Sequence, residues 1–153
     1  MSTSLKNNYY MIITTPADYK LDVKNEFKFV GFPERNRNSV MKFQKGDKVI
    51  VYVTQKSSFA AVLEITGEPY CSYTQVWDDE YILYPYRVST TPIFYAKTNS
   101  EMVYIKDIWD DLSFIKNKHK WGSQVQGSFR KITETDFNVI EKSILTRNGG
   151  LSQ

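Results

Sequence analysis

Lys48–Thr54, KVIVYVT, is the segment that most limits what this chain can fold into. Branched and aromatic residues fill a strand's length, framed by the turn formers Gln44, Lys45, Gly46 and Asp47 ahead and the polar Gln55, Lys56, Ser57 and Ser58 behind. Beyond that short connection lies a second apolar run, Phe59–Thr66, FAAVLEIT. Two such runs predict an antiparallel hairpin. Successive rather than alternating apolar positions mean that both faces of the hairpin need cover, so further strands and helices must surround it.

The flanking segments supply that cover. Tyr9–Thr14, YYMIIT, predicts another strand buried on both faces, and Thr15 followed by Pro16 predicts an N-cap with proline at the first position of a helix reaching about Asn25. Phe27–Pro33, FKFVGFP, keeps neither period and predicts a loop, an unusually aromatic one. Asn36–Phe43 predicts one or two helical turns, and Gly67–Pro69 a bend. Tyr70–Ile82, with Trp77, Asp78, Asp79 and Glu80, predicts a long acidic connection into a strand from about Leu83 to Thr90, which Pro85 and Pro92 restrict to pairing at edges or ends. A helical turn is expected around Asp107–Leu112. Thr133–Asp136 resembles a capping box with Asp in place of Glu, ahead of Phe137, Ile140, Ile144 and Leu145 at helical spacing, so a C-terminal helix should lay one face on the sheet. The expected fold is α+β: a small mixed β-barrel of five to six strands with flanking helices. Without repeats or a linker, the chain is expected to form a single domain over residues 9–146, with residues 1–8 and 147–153 as flexible ends.

At 153 residues the chain buries enough surface to need no staple. With one cysteine, Cys71, and one histidine, His119, it offers no Cys/His set for a metal, and no metal or cofactor is expected. Asp78, Asp79 and Glu80 are expected to be solvated rather than to hold a divalent ion, as are Asp110 and Asp111. There is no phosphate-binding G-x-x-x-x-G-K-[ST] loop, no G-x-G-x-x-G and no G-x-S-x-G elbow. No apolar run approaches the roughly 20 residues that span a bilayer, and the N-terminus shows no signal-peptide core, so a cytoplasmic protein, monomeric or weakly dimeric, is expected. The net charge of +3 conceals a pattern: residues 1–60 carry +5, residues 61–112 carry −6 and residues 113–153 carry +4. If the basic segments meet on one face, phosphate is a natural partner; otherwise they are solvated surface. Eleven Tyr, nine Phe and three Trp exceed what a core of this size requires and suit base stacking. His119, among Lys116, Lys118 and Lys120, fits a phosphate or base contact or plain surface better than a catalytic base.

Several segments, in order, carry a family resemblance: YYMIITTP, GFPERNRNSVMKFQKGDKVIVYV, AAVLEITGEPY, YPYRV and LSFIKNKHKWGSQVQG. Together they cover about residues 9–145. The sequence resembles the EVE domain family, within the PUA-like barrels that also include the YTH readers of methylated adenine in RNA. The resemblance implies a barrel with one pocket for a single flipped-out or single-stranded base, often a modified one.

Carried onto this chain, the implied pocket comprises Thr14 and Thr15, Phe32 and Pro33, Asn36 and Asn38, Thr54 and Gln55, with Trp77 and Trp121 as aromatic walls. Asn36 and Asn38 either read a base edge or cap the helical turn, and Trp77 is either a wall or a core anchor. Arg35, Arg37, Lys42, Lys116, Lys118 and Lys120 are the phosphate candidates. Where family members commonly carry Trp before the glycine of the first loop, this chain has Val30, which leaves Phe29 or Phe32 to form that wall. The implied function is a non-catalytic nucleic-acid reader of RNA or DNA. The alternatives are a small PUA-like nuclease or nucleotide hydrolase using Lys or Tyr, and an interaction module docking through its acidic centre.

Overall fold

The computed structural model describes residues 7–77 and 84–149; Asp78, Asp79, Glu80 and Leu83 lie outside the described residues. The strands are β1 (Tyr9–Thr14), β2 (Phe29–Phe32), β3 (Lys48–Val53), β4 (Ser58–Ile65), β5 (Tyr70–Cys71), β6 (Tyr86–Tyr95), β7 (Val103–Tyr104) and β8 (Phe129–Ile132). The α-helices are α1 (Pro16–Lys24), α2 (Arg37–Val40) and α3 (Glu134–Arg147). One sheet runs β2-β6-β4-β3-β1-β8, with β5 added to β6 and β7 to β4. It is mixed, because β1 lies parallel to β3 while the other pairs are antiparallel. Phe32 of β2 and Phe129 of β8, at opposite ends of this path, bring their rings to 4.9 Å, so the sheet curls until its edges touch. Bulges at Val51/Tyr52 and Val62/Leu63 supply local bending.

The predicted hairpin forms as β3 and β4, and its two faces are covered by two cores. Inside the curl lie Tyr10, Ile12, Phe32, Phe43, Val51 and Leu63; outside it, Met11, Ile50 and Val62 pack under Phe137, Ile140 and Ile144 of α3. Burying each of those α3 side chains contributes about 1.5–3 kcal/mol. Both predicted caps are present: Thr15 Oγ1 accepts the Asp18 N–H at 3.2 Å and Thr133 Oγ1 accepts the Asp136 N–H at 3.0 Å. The Asp136 carboxylate does not complete a capping box. Only 2% exposed, it accepts the Ser113 N–H at 2.9 Å and the Ser113 hydroxyl at 2.6 Å, tying the loop before it to the helix start.

Three segments differ from expectation, the first being Tyr70–Cys71, expected as part of a connection but paired with β6 as β5. Phe27–Pro33 is not all loop: Phe29–Phe32 is a strand paired with β6 from Phe29 opposite Ser89 to Phe32 opposite Tyr86. Its period is hidden because Gly31 stands where an outward side chain would otherwise mark the alternation. The strand expected to stop near Thr90 continues to Tyr95, through Pro92. Pro92 pairs with Leu63 at the bulge, past the last rung of β2, where β6 has β4 alone beside it and the missing N–H costs no second ladder bond.

Candidate functional site

The end of β1, the start of α1 and the end of β2 converge on a cavity of about 220 Å³. From β1 come Ile12, Ile13 and Thr14, and Thr15 follows as the helix cap. Asp18 and Asp22, four residues apart and therefore on one face of α1, both reach its wall. Val30, Gly31, Phe32 and Pro33 form the β2 side, with Arg35 just beyond; Phe27, Val51, Trp77, Tyr84, Gly127 and Ser128 complete the lining.

Trp77 is fixed from several directions. Its Nε1–H donates to Asp22 Oδ1 at 2.9 Å, its ring meets Tyr84 and Phe29 edge-on at 5.3 and 5.8 Å, and the Arg87 guanidinium lies 5.2 Å from the ring centre. Arg87 is buried and donates from Nε to the Tyr84 carbonyl at 2.9 Å and from Nη2 to the Thr74 carbonyl, so it clamps both ends of the segment that carries Trp77. A Cβ on Gly31 would stand 2.5 Å from Trp77 Cη2. Glycine is thus required for close approach of the indole. Trp77 is at once a cavity wall and a buried anchor.

Asp22 is 8% exposed. Burial pushes its carboxyl up to about 7, the Trp77 hydrogen bond pulls it back and the Asp18 charge raises it further. Asp18 lies within 3.5 Å of the Tyr84 hydroxyl. Arg35 is exposed beside these acids.

Of the residues implied by the family resemblance, Thr14, Thr15, Phe32, Pro33, Arg35 and Trp77 share this cavity; Asn36, Asn38, Thr54, Gln55 and Trp121 are not part of its wall. Phe32, rather than Phe29, lines it beside Val30. Asn36 heads α2 without a side-chain capping bond, and its buried Oδ1 has no partner among the described residues. Thr54 N–H donates to the Thr14 carbonyl at 2.8 Å, behind the wall. Trp121 packs against Trp109 at 6.1 Å with the Lys106 ammonium 5.5 Å from its ring, over the outer core. The Arg37 guanidinium lies 5.9 Å from the centre of the Tyr86 ring, Lys118 pairs with Asp110, and Lys42, Lys116 and Lys120 are exposed. Sequence reasoning did not single out Asp18, Asp22, Gly31, Tyr84 or Ser128. The spacing of the two aspartates on a predicted helix was the one available signal.

The family model for the EVE domain matches residues 8–143. The chain belongs to the EVE domain family. Among curated relatives, a UPF0310 protein of Pyrococcus abyssi is 33% identical over 88% of this chain and 97% of its own length. One from Pyrococcus horikoshii is 29% identical over 90% of this chain and 99% of its own. The EVE fold seen here is similar to that of a hypothetical protein from Leishmania major, with a TM-score of 0.64 at 13% identity, covering 94% of this chain and 98% of that one. It is also similar to the Mmi1 YTH domain crystallised in complex with RNA, with a TM-score of 0.63 at 9% identity, covering 97% and 85% of the two chains. The described residues include no helix long and apolar enough to cross a membrane and no cluster of three or more metal-ligating side chains.

Proposed function

We propose that this EVE domain is a non-catalytic reader of nucleic acid that takes a single modified base into the cavity between β1, α1 and β2. The observation that carries this is the pairing of aromatic and polar groups there. Phe32 and Trp77 offer ring surface, Thr14, Thr15 and Asp22 offer hydrogen-bonding groups, and Arg35 stands exposed beside them for a phosphate. A base held on aromatic surface gains about 1–3 kcal/mol per stack, and polar groups around its rim distinguish its edge. Extruding a base costs a few kcal/mol, least where it is already unpaired, so single strands are the favoured targets. Arg37, Lys42, Lys116, Lys118 and Lys120 extend the phosphate contacts along the strand, while Asn36, Asn38, Thr54, Gln55 and Trp121, outside the cavity wall, have no part in holding the base. The RNA in the Mmi1 YTH complex supports this assignment by similarity of fold. The proposed form is a monomer or weak dimer, and the proposed compartment is the cytoplasm.

Titration of labelled single-stranded RNA and DNA, with and without single modified bases, tests the proposal. Binding that weakens with salt and improves for a modified base supports it. Equal, negligible binding to every strand at low salt removes it. Strand cleavage or base release in the same incubations, resolved on a denaturing gel, would assign the cavity to an enzyme instead.

A further inference from the structure

This inference rests on the base-reading assignment and concerns which bases the cavity prefers. Asp22, more than nine-tenths buried, lines the cavity, and its described hydrogen bonding is confined to Oδ1, where it receives Trp77 Nε1–H. Asp18, one helical turn earlier, reaches the same wall, and the rings of Phe27, Phe32, Trp77 and Tyr84 complete it. Arg35 is the only lysine or arginine among the described lining residues, and it is exposed. Two carboxyl groups thus line the cavity wall, the more buried one being Asp22, and the positive charge lies at its solvent side.

Aromatic rings combined with a buried carboxylate make a wall that favours cations. The negative faces of the rings attract positive charge, and a carboxylate out of water attracts it more strongly still. A neutral base, methylated on carbon or on an exocyclic amine, supplies no countercharge. Adenine methylated at N1 and cytosine methylated at N3 are, by contrast, flat, aromatic and cationic at neutral pH. We infer that the cavity selects cationic, ring-nitrogen-methylated bases over neutral ones, with the Asp22 carboxylate as the selecting group.

The protonation of Asp22 makes this separable from simple stacking. Burial holds its proton to about pH 7, and among the described residues the other charged or titratable groups around it are Asp18, Tyr19 and Tyr84, with Arg35 at the solvent side and Arg87 behind Trp77. A bound cation favours the ionised carboxylate and releases the proton, so affinity for a cationic base should rise with pH until Asp22 is fully ionised. Between pH 6 and pH 8 the ionised fraction grows roughly tenfold. A neutral base presenting an acceptor to protonated Asp22 would show the opposite trend.

The experiment is fluorescence anisotropy with single-stranded oligonucleotides carrying 1-methyladenine or 3-methylcytosine, against 6-methyladenine, 5-methylcytosine and unmodified strands, at pH 6 and pH 8. The expected result is tighter binding of the cationic set by about tenfold or more at pH 8, with most of the advantage lost at pH 6. In D22N, which can still accept the Trp77 N–H, the ratio of cationic to neutral affinity should fall toward one and lose its pH dependence. Neutral modified bases binding as tightly as the cationic set, or an advantage indifferent to pH, overturns the inference and leaves the reader in place. Absence of binding to all strands removes the reader and the inference together. Should D22N fail to fold, the pH dependence of the unaltered protein decides alone.

Discussion

The indole N–H of Trp77 donates to Oδ1 of Asp22 at 2.9 Å, joining residues 55 positions apart in the chain. This contact pins the segment after β5 to α1 and closes one wall of the cavity. It also buries a carboxyl in an aromatic surrounding, which is why Asp22 holds its proton to about pH 7.

Asp22 should therefore oppose folding at high pH. In the unfolded chain its carboxyl ionises near pH 4, whereas the folded protein keeps the proton to about 7, so between these values folding takes up a proton. The native state binds more protons there, and stability falls as pH rises through that window, levelling off above it. The D22N variant lacks this penalty and should gain on the order of 3 kcal/mol relative to the unaltered protein between pH 4 and pH 8. Urea unfolding of both proteins at the two pH values measures it; parallel pH profiles would refute the assignment.

Gly31→Ala should displace Trp77. The new Cβ would fall 2.5 Å from Cη2 and 2.7 Å from Cζ3 of an indole that Asp22, Arg87 and Tyr84 already hold in place. Overpacking of this kind costs roughly 1–3 kcal/mol. A lower melting temperature with altered near-ultraviolet circular dichroism is expected, together with weaker binding to any strand the native protein binds. A variant as stable as the parent would mean that the indole moves aside freely.

Asp136→Ala should cost more than Thr133→Ala. The threonine caps α3 through one bond, worth about 1 kcal/mol. The aspartate holds Ser113 through two bonds, places its charge at the positive end of α3 and is almost fully buried, so roughly 2–3 kcal/mol is expected. Chemical denaturation of the two single variants orders them, and equal losses would show that the Ser113 tether contributes nothing.

Arg35→Ala should lower affinity for all strands alike and reduce the slope of log affinity against log salt by about 1. Arg35 is the cation that lines the cavity, whereas Lys118 is already paired with Asp110. Lys118→Ala should therefore change the slope less. The reverse order would move the phosphate track to the segment around Trp121.

Much of the fold was legible because much of it is local. β1, β3 and β4 announce themselves by unbroken apolar runs, and Thr15 and Thr133 mark helix starts through bonds only three residues long. β2 was not legible: Phe29–Phe32 becomes a strand by pairing with β6, more than 50 residues later, and Gly31 there answers to Trp77 rather than to a turn. The same division runs through the site. Thr14, Thr15, Phe32, Pro33, Arg35 and Trp77 were named in advance, whereas Asp18 and Asp22 carry no local mark beyond their spacing on a short helix.

By itself the sequence determined the secondary structure that short-range patterns dictate, the α+β class and the membership in the EVE family. Only the tertiary structure decided which residues share the cavity and what state Asp22 holds there. The physical reason is range. Helix caps and strand periodicity depend on neighbours a few residues away, but the burial that raises a carboxyl and the glycine that admits an indole depend on how far the sheet curls. That curl is set by contacts such as Phe32 on Phe129, between strands at opposite ends of the sheet.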